Sequence, residues 1–259
     1  MLSYQHAYHA GGPADLHKHA ALAELLAALT AKPRGINYAE THAGRGLDDL
    51  AGAEALKTGE AAAGIGRAAP GADTPFGRAL AAVRAAHGAD AYPGSPLVAR
   101  ALLRPQDRIV LMELHPAEHA GLVAALPAGS AEIHRRDGYE GVLALAPLRP
   151  QRGLVLVDPS YEVKDEYAAA AGFVLRLARK WPEASVLVWY PLLPAGREAE
   201  LVGRLGPLGP LIDEVVFDPV PARGMYGSGL ALVNAPHGAA ALLARARAQG
   251  GGVLRHRGA

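Results

Sequence analysis

Two patterns of apolar and polar residues alternate along this chain. Short runs of consecutive apolar residues are typical of strands buried on both faces of a sheet, whereas apolar residues three or four positions apart are typical of helices. The first helical pattern follows Pro13, a residue suited to a first helical turn because the N–H it lacks would have no partner there. Its apolar stripe contains Leu16, His19, Leu22, Leu26 and Leu29. We therefore expect His19 to be buried.

From residue 36 onward, predicted strands and helices follow one another regularly. The predicted strands cover residues 36–40, 108–113, 131–137, 153–158 and 185–190, and the predicted helices between them cover 116–126, 139–146 and 166–181. Near-continuous apolar strands separated by helices indicate a parallel sheet covered on both faces. Two further strands, 213–220 and 229–236, have no helix between them and predict an antiparallel hairpin. The pattern thus predicts an α/β protein with a doubly wound, mostly parallel sheet that ends in this hairpin.

An alanine-rich interval from Leu47 to about Asp90 interrupts this order. It has helical character and carries no strand pattern, so we predict a small helical insertion over 47–90. No other change of composition marks a domain boundary, and 259 residues are enough for one large α/β domain. We therefore predict a single domain over 1–259 that contains this insertion.

Composition and charge narrow the class of protein. The formal net charge of +1 gives no bulk signal of nucleic-acid binding. The absence of cysteine excludes disulfides and thiolate chemistry. No apolar run approaches the length of a membrane span, and the N-terminus does not resemble a signal peptide, so we expect a cytoplasmic protein without a membrane partner. His6, His9, His17 and His19 cluster near the N-terminus but match no metal-binding motif, and we expect no metal.

Acidic residues terminate four successive predicted strands, namely Glu40, Glu113, Asp137 and Asp158. In open α/β sheets ligands bind beyond the carboxyl ends of the strands, so we expect these carboxylates to lie close together. The first acid is followed by Gly44 and Gly46, a turn that lets a ligand approach the backbone. Glu113 is placed to accept hydrogen bonds from two ribose hydroxyls, and Asp137 to reach an adenine amino group. These positions predict a site for a nucleoside-bearing cofactor.

The glycine pattern helps to select the cofactor. It lacks the full G-x-G-x-x-G that binds a pyrophosphate at a helix N-terminus, and the chain has no Walker lysine, which disfavours NAD and ATP. S-adenosylmethionine has no phosphate, and its sulfonium is cationic, so a pocket rimmed with carboxylates suits it. We therefore predict S-adenosylmethionine as the cofactor.

The corner Asp158-Pro159-Ser160-Tyr161 suggests the reaction. An exocyclic amine is a poor nucleophile because its lone pair is delocalised into the ring, and two acceptors on its N–H groups restore nucleophilic character. The Asp158 carboxylate and the Pro159 carbonyl can supply these acceptors, and the proline restricts the backbone of the residue before it. Tyr161 can stack on the base. The corner thus predicts methylation of an exocyclic amine.

This corner resembles the D-P-P-Y signature of amino-methyltransferases that act on adenine N6 or cytosine N4. The whole chain resembles the bacterial family that methylates adenine N6 in large-subunit (23S) ribosomal RNA. The segments that carry this resemblance are MLSYQHAYHAGGPADLHKH, THAGRG, YPGSPLVAR, ELHP, DG, GLVLVDPSYE and GMYGSGLALVNAP. The resemblance implies a Rossmann-like methyltransferase fold, S-adenosylmethionine as the cofactor and ribosomal RNA as the partner, and we expect a monomer.

The resemblance also implies roles for particular residues. Those that match the family's cofactor site are Lys18, His19, His42, Ser95, Glu113, Asp137, Gly138 and Asp158. Asp158 also matches the catalytic acid, with Pro159 and Tyr161 beside it. Tyr4 matches an aromatic residue that handles the RNA substrate.

Two departures from the family pattern leave alternatives open. Ser160 stands where the signature has its second proline, which relaxes the constraint on the Pro159 carbonyl, and the segment GGPAD differs from the family after its first glycine. A DNA adenine or cytosine methyltransferase is the nearest rival, and a protein-glutamine methyltransferase is disfavoured because that chemistry usually has asparagine in place of Asp158. A histidine-rich metal hydrolase and a catalytically silent RNA-binding module are the alternatives from other classes.

Overall fold

The computed structural model describes residues 9–163 and 165–258. Helix α1, Pro13–Thr30, opens this part of the chain, with Gly12 as its N-cap and Pro13 in its first turn. The predicted apolar stripe of this helix is buried, and so is His19. Both predictions made from the sequence pattern of α1 are therefore confirmed.

Strands and helices alternate along the rest of the chain. The strands are β1 (Asn37–Glu40), β2 (Leu47–Asp49), β3 (Ala91–Pro93), β4 (Arg108–Met112), β5 (Glu132–His134), β6 (Gly153–Val157), β7 (Ala184–Leu192), β8 (Leu211–Phe217), β9 (Gly227–Val233) and β10 (Leu254–His256). The further helices are α2 (Ala53–Thr58), α3 (Glu60–Ala63), α4 (Pro75–His87), α5 (Ser95–Leu102), α6 (Pro116–Ala125), α7 (Gly138–Leu145), α8 (Glu166–Lys180), α9 (Glu198–Leu205) and α10 (Ala239–Ala248), with a 3₁₀ turn at Gly206–Leu208.

The main sheet of the described chain has eight strands in the order β10-β8-β9-β7-β6-β1-β4-β5. Strands β1, β4, β5, β6 and β7 pair in parallel, whereas β9 pairs antiparallel with both β7 and β8. The chain runs from β1 out to β4 and β5 and then returns to β6 on the other side of β1, so the strand order reverses there. Such a reversal opens a crevice at the carboxyl ends of the strands. The predicted Rossmann-like architecture is confirmed.

The central strands are buried along their whole length. Every residue of β6, β7 and β9 is buried, and because successive side chains of a strand point to opposite faces, both faces of the sheet are covered. Helix α1 packs against α5 and α10, and α8 packs against α7 and α9. None of the described helices combines the length and the apolar surface that a membrane crossing requires.

Three details of the predicted secondary structure were wrong. The interval 47–90 was expected to contain no strand, but β2 at its start pairs antiparallel with β3, so that a short two-stranded sheet closes the base of the insertion. The third strand of the parallel sheet ends at His134, and Asp137 instead caps α7. The hairpin β8–β9 does not end the sheet, because β10 extends it beside β8. Strands of three residues leave too short an alternation to be recognised in a sequence.

Candidate active site

A cavity of about 260 Å³ opens at the carboxyl ends of β1, β4 and β6, beside the reversal of strand order. The predicted site residues that line it are Lys18, His19, His42, Ser95, Glu113, Asp137, Gly138, Asp158 and Pro159. The other residues that line it are Thr41, Ala43, Gly44, Arg45, Gly46, Gly94, Leu114, His115, Glu118, Tyr139, Ser160 and Glu166. The fold thus collects side chains from distant parts of the sequence at one edge of the sheet.

Asp158 is paired with a buried lysine. The Nζ of Lys18, on α1, lies 2.6 Å from Asp158 Oδ2 and 3.1 Å from Asp15 Oδ1. Asp15 lies one helical turn before Lys18 and also accepts a hydrogen bond from the backbone N–H of Gly11, at 3.1 Å. The ammonium and the carboxylates are partners for one another, and buried charged groups require such pairing. The pair fixes Asp158 Oδ2 and thereby sets the orientation of the carboxylate.

Glu113 follows β4 directly and is held by two backbone donors. Its Oε2 accepts from the N–H of Gly44 and its Oε1 from the N–H of His115, each at 2.8 Å. Burial raises the pKa of Glu113 although these two bonds act to lower it. A carboxylate can accept more than one hydrogen bond on each oxygen, so Glu113 retains acceptor capacity toward the cavity.

The segment Asp137–Gly138 brings the start of α7 against the loop after β1. Asp137 Oδ1 caps the helix by accepting from the N–H of Glu140 at 2.9 Å. A Cβ atom added at Gly138 would lie 1.7 Å from the carbonyl oxygen of Thr41, so this close approach requires glycine. The absence of a side chain at position 138 therefore places Asp137 beside the loop that lines the cavity.

His42 is an uncharged wall of the cavity. Burial lowers its pKa to about 4, although the charges of Asp158 and Asp137 act to raise it. Its Nδ1 lies 2.8 Å from Thr41 Oγ1, and its ring meets the edge of the Tyr139 ring at 5.1 Å between centroids. At neutral pH His42 therefore offers a neutral imidazole to a ligand.

Glu40 lies beneath the cavity instead of lining it. It is fully buried and accepts hydrogen bonds from Tyr38 Oη at 2.5 Å and from Ser95 Oγ at 2.9 Å. Burial raises the pKa of Glu40 to about 8. Of the four acids predicted at strand ends, three thus line the cavity, although Asp137 does so as the cap of α7. The fourth, Glu40, orients Ser95, which does line it.

The corner after β6 has an unusual backbone. Tyr161 has a φ of 56°, in the left-handed region, which costs a residue other than glycine about 1–3 kcal/mol. Its hydroxyl donates to the carbonyl of Trp189 at 2.7 Å, and its buried ring packs 4.5 Å from the Tyr167 ring. Tyr161 therefore lies beside the cavity and is not among the lining residues, so its stacking on a base stays a prediction.

Some site residues escaped the sequence reasoning. Asp15 lies three positions before Lys18 on a buried helix face, a spacing that predicts an ion pair and could have revealed it. Glu166 opens α8, and its carboxylate oxygens lie 3.4 Å from the hydroxyl of Ser160. Its sequence position gave no signal of this. Tyr4 and His6 lie outside the described residues.

Among residues 9–163 and 165–258, no three or more histidine, cysteine or carboxylate side chains are grouped so that they could hold a metal ion. The histidines at positions 17 and 19 point to different partners, Asp213 and Tyr92 respectively.

Comparison with known proteins identifies the family. The model of the family described as ribosomal RNA large subunit methyltransferase D, RlmJ, matches residues 33–245. The chain belongs to this family. The ribosomal RNA large subunit methyltransferase J of Escherichia coli strain K12 is 32% identical over 246 residues, which are 91% of this chain and 88% of that protein. The protein of the same name from Haemophilus influenzae is 34% identical over 247 residues, with the same coverage of both chains.

A solved structure supports the same assignment. The crystal structure of protein LPL1258 from Legionella pneumophila is 30% identical, with a TM-score of 0.82, and the match covers 96% of this chain and 97% of that chain. The family predicted from the sequence and the prediction of an enzyme are confirmed. In this member of the RlmJ family, the matched range contains the cavity residues that follow β1, β4 and β6, while Lys18 and His19 lie before it, on α1.

Proposed function

We propose that this protein transfers a methyl group from S-adenosylmethionine to N6 of an adenine in large-subunit ribosomal RNA. The observation that carries the proposal is the Asp158–Pro159 corner at the reversal of strand order, with the Asp158 carboxylate oriented by Lys18 at 2.6 Å. Family membership supports ribosomal RNA as the substrate.

The residues present fit S-adenosylmethionine. Gly138 permits a close approach of α7 to the loop after β1, because any side chain at this position would place its Cβ 1.7 Å from the Thr41 carbonyl oxygen. The carboxylates of Glu113 and Asp137 line the same cavity, and Asp137 keeps Oδ2 for a ligand while Oδ1 caps α7. An acid-lined cavity attracts a cation, and carboxylates are strong acceptors for hydroxyl and amino groups. We assign the ribose to Glu113 and the adenine amino group to Asp137.

The proposed mechanism depends on two acceptors at one corner. S-adenosylmethionine supplies an electrophilic methyl group when it is bound. Lys18 occupies Asp158 Oδ2, which we take to leave Oδ1 for one N–H of the target amine. The Pro159 carbonyl accepts from the other N–H. These bonds localise the lone pair on the amine nitrogen and are strongest when positive charge develops there, so they stabilise the transition state. Asp158 Oδ1 is then positioned to hold the proton that the amine releases.

The target base has to leave the RNA stack to reach this corner. Unstacked bases in RNA are bound by stacking on aromatic rings, which is the role we propose for Tyr161 and Tyr4. A single domain with a 47–90 insertion, a monomeric state and a cytoplasmic location remain part of the proposal.

A methyl-transfer assay with matched variants tests the proposal. Tritiated methyl groups should pass from S-adenosylmethionine to unmodified ribosomal RNA but not to DNA of equal length, and digestion should yield N6-methyladenosine. We expect Asp158→Ala to lower turnover roughly 10²-fold or more, with cofactor affinity within about tenfold of normal, because the lost acceptor acts chiefly in the transition state.

Asp165→Ala is the matched control, because Asp165 is an exposed acid on the same loop that makes no capping hydrogen bond. It should keep near-normal turnover. Labelled DNA, or normal turnover in Asp158→Ala, would contradict the proposal.

A further inference from the structure

A buried chain of hydrogen bonds runs beside the cavity, from α1 to the hairpin β8–β9. His17 Nδ1 lies 2.9 Å from Ser228 Oγ, and His17 Nε2 lies 3.0 Å from Asp213 Oδ2. The indole N–H of Trp189, on β7, donates to the same Ser228 oxygen at 2.9 Å. His17 and Ser228 are fully buried, and Asp213 and Trp189 are less than a tenth exposed.

The hydrogen positions in this chain follow from its donors. An indole N–H can only donate, so Ser228 Oγ accepts from Trp189. The Asp213 carboxylate can only accept, so the hydrogen of the neutral imidazole is on Nε2, and Nδ1 accepts from the Ser228 hydroxyl. His17 Nε2 then carries a hydrogen and donates to Asp213, whose Oδ1 also pairs with Arg247. Burial lowers the pKa of His17, which agrees with this neutral tautomer. Each polar group has a partner, so the indole ring has a fixed orientation.

The same indole ring contacts the catalytic corner from its other side. Lys18 Nζ, which pairs with Asp158, lies 5.4 Å from the centre of the Trp189 ring, a distance at which an ammonium is attracted to an indole face. The Tyr161 hydroxyl donates to the Trp189 carbonyl at 2.7 Å, and the two rings lie 5.9 Å apart. Trp189 thus links the buried chain to two of the predicted site residues.

We propose that Trp189, held by Ser228, His17 and Asp213, is a positioning residue for methyl transfer: its indole fixes the Lys18 ammonium, and through it the Asp158 carboxylate, as well as the Tyr161 turn. This inference rests on the proposed function of Asp158. The serine, histidine and acid do not form a nucleophilic triad, because Ser228 is inaccessible and its oxygen accepts from Trp189.

Adjacent residues of α1 explain how the coupling is built. His17 bonds to the hairpin network, and Lys18, the next residue, bonds to Asp158 across the cavity. Anchoring His17 therefore anchors the helical turn from which Lys18 extends. A change at Ser228 acts on Asp158 through both the indole and this helical turn.

The experiment compares two buried serines. Ser228→Ala removes the acceptor of the Trp189 N–H, and we expect it to lower kcat roughly tenfold or more, because small misplacements of catalytic groups have large effects. The Kd for S-adenosylmethionine and the KM for RNA should change little. Ser228→Thr keeps the hydroxyl and should retain most of kcat.

Ser185→Ala is the matched control. Like Ser228, Ser185 is buried, but it lies on β7 and does not line the cavity. Its hydroxyl donates to the carbonyl of Asn234 at 2.7 Å. This variant should lose similar stability and keep near-normal kcat. Equal kcat in the two alanine variants would overturn the proposal.

Tryptophan fluorescence supplies a readout that does not require catalysis. The chain has two tryptophans, so Trp181→Phe leaves Trp189 as the sole emitter. In this background Ser228→Ala should shift the emission to shorter wavelength because the indole N–H loses its acceptor, and Lys18→Met should alter it because the ammonium leaves the ring. An emission maximum that neither change moves would contradict the positioning role of Trp189, whether or not the wild-type protein methylates RNA. Failure of the wild-type protein to methylate RNA would contradict the proposed function instead.

If Ser228→Ala does not fold, Trp189→Phe provides the same test. It keeps an aromatic ring in the core, removes the N–H donor and weakens the attraction for the Lys18 ammonium, because indole is the strongest of the aromatic cation binders. We expect the same loss of kcat with an unchanged Kd for the cofactor, and near-normal kcat would overturn the proposal.

Discussion

Three of the carboxylates that line the cavity are each oriented by a different donor of the protein. Asp158 is held by an ammonium, Glu113 by two backbone N–H groups, and Asp137 by the N–H of the helix it caps. Asp158 and Asp137 each use one oxygen in this way, and we propose that the other oxygen of each contacts a ligand. Because the groups are fixed before a ligand arrives, little ordering is required on binding.

Glu113 is expected to contribute to cofactor affinity. We expect Glu113→Ala to weaken binding of S-adenosylmethionine by about 1.5–3 kcal/mol, the range for hydrogen bonds to charged groups. Turnover at saturating cofactor should change much less. Because burial raises the pKa of Glu113, the affinity of the wild-type protein should fall with decreasing pH above the ordinary glutamate range, and Glu113→Ala should lose this dependence. Calorimetry at several pH values measures both effects.

The matched control for this prediction is Glu132→Ala. Glu132 lies on the neighbouring strand β5, where it pairs with Arg108 on the surface and does not line the cavity. Its removal takes away the same charge and should leave the cofactor Kd unchanged. A Glu113→Ala variant that binds the cofactor as tightly as Glu132→Ala would show that Glu113 does not hold the ribose.

At the scale of elements, the start of α7 is fitted to the loop after β1 through Gly138. Gly138→Ala should destabilise the protein by about 1–3 kcal/mol, the usual cost of overpacking, because the new Cβ would lie 1.7 Å from the Thr41 oxygen. The same shift should move Asp137 and weaken the cofactor. Denaturant unfolding and calorimetry measure the two effects.

Gly172→Ala is the control for that prediction. Gly172 lies within α8, and a Cβ added there would meet no atom within 4 Å. Alanine in a helix interior is favoured over glycine by about 0.5–1 kcal/mol, so this variant should be slightly more stable. If both variants unfolded at the same denaturant concentration, the close contact at Gly138 would not constrain α7.

The strand ends explain why much of the site could be predicted from the sequence. The carboxyl ends of parallel strands meet at one edge, so acids that follow separate apolar runs must converge, as Glu113 and Asp158 do. The fixed orientation of Trp189 could not be predicted from the residues around it. That orientation depends on hydrogen bonds made by Ser228 and His17, which are far away in sequence. The left-handed backbone of Tyr161 was equally hidden, because tyrosine does not favour it.

At the scale of the whole molecule, the start of α1, the insertion and the β8–β9 loop are joined. The N–H of Ile65 donates to the Gly11 carbonyl at 2.9 Å, His9 Nδ1 lies 2.9 Å from Glu60 Oε1, and Arg67 donates to the Asp218 carbonyl. Gly11 also donates to Asp15, the partner of Lys18. His9 and Gly11 therefore connect the start of α1 to the insertion, and Gly11 also connects it to the Asp15–Lys18–Asp158 ion pairs.

Tyr4 precedes these residues in the sequence, and we expect it to contact the RNA substrate. With a net charge of only +1, the protein needs local contacts to hold RNA, and an aromatic ring among cationic residues suits an unstacked base. We expect Tyr4→Ala to lower RNA methylation about tenfold or more, as loss of one base-stacking contact predicts, with cofactor Kd and Tm nearly unchanged. Tyr4→Phe should retain most activity if stacking is the role, whereas an equal loss would assign the role to the hydroxyl. If the alanine variant methylates RNA at the wild-type rate, Tyr4 does not hold the RNA. Charge-removing variants of the insertion such as Arg67→Ala would then be the next to lose activity.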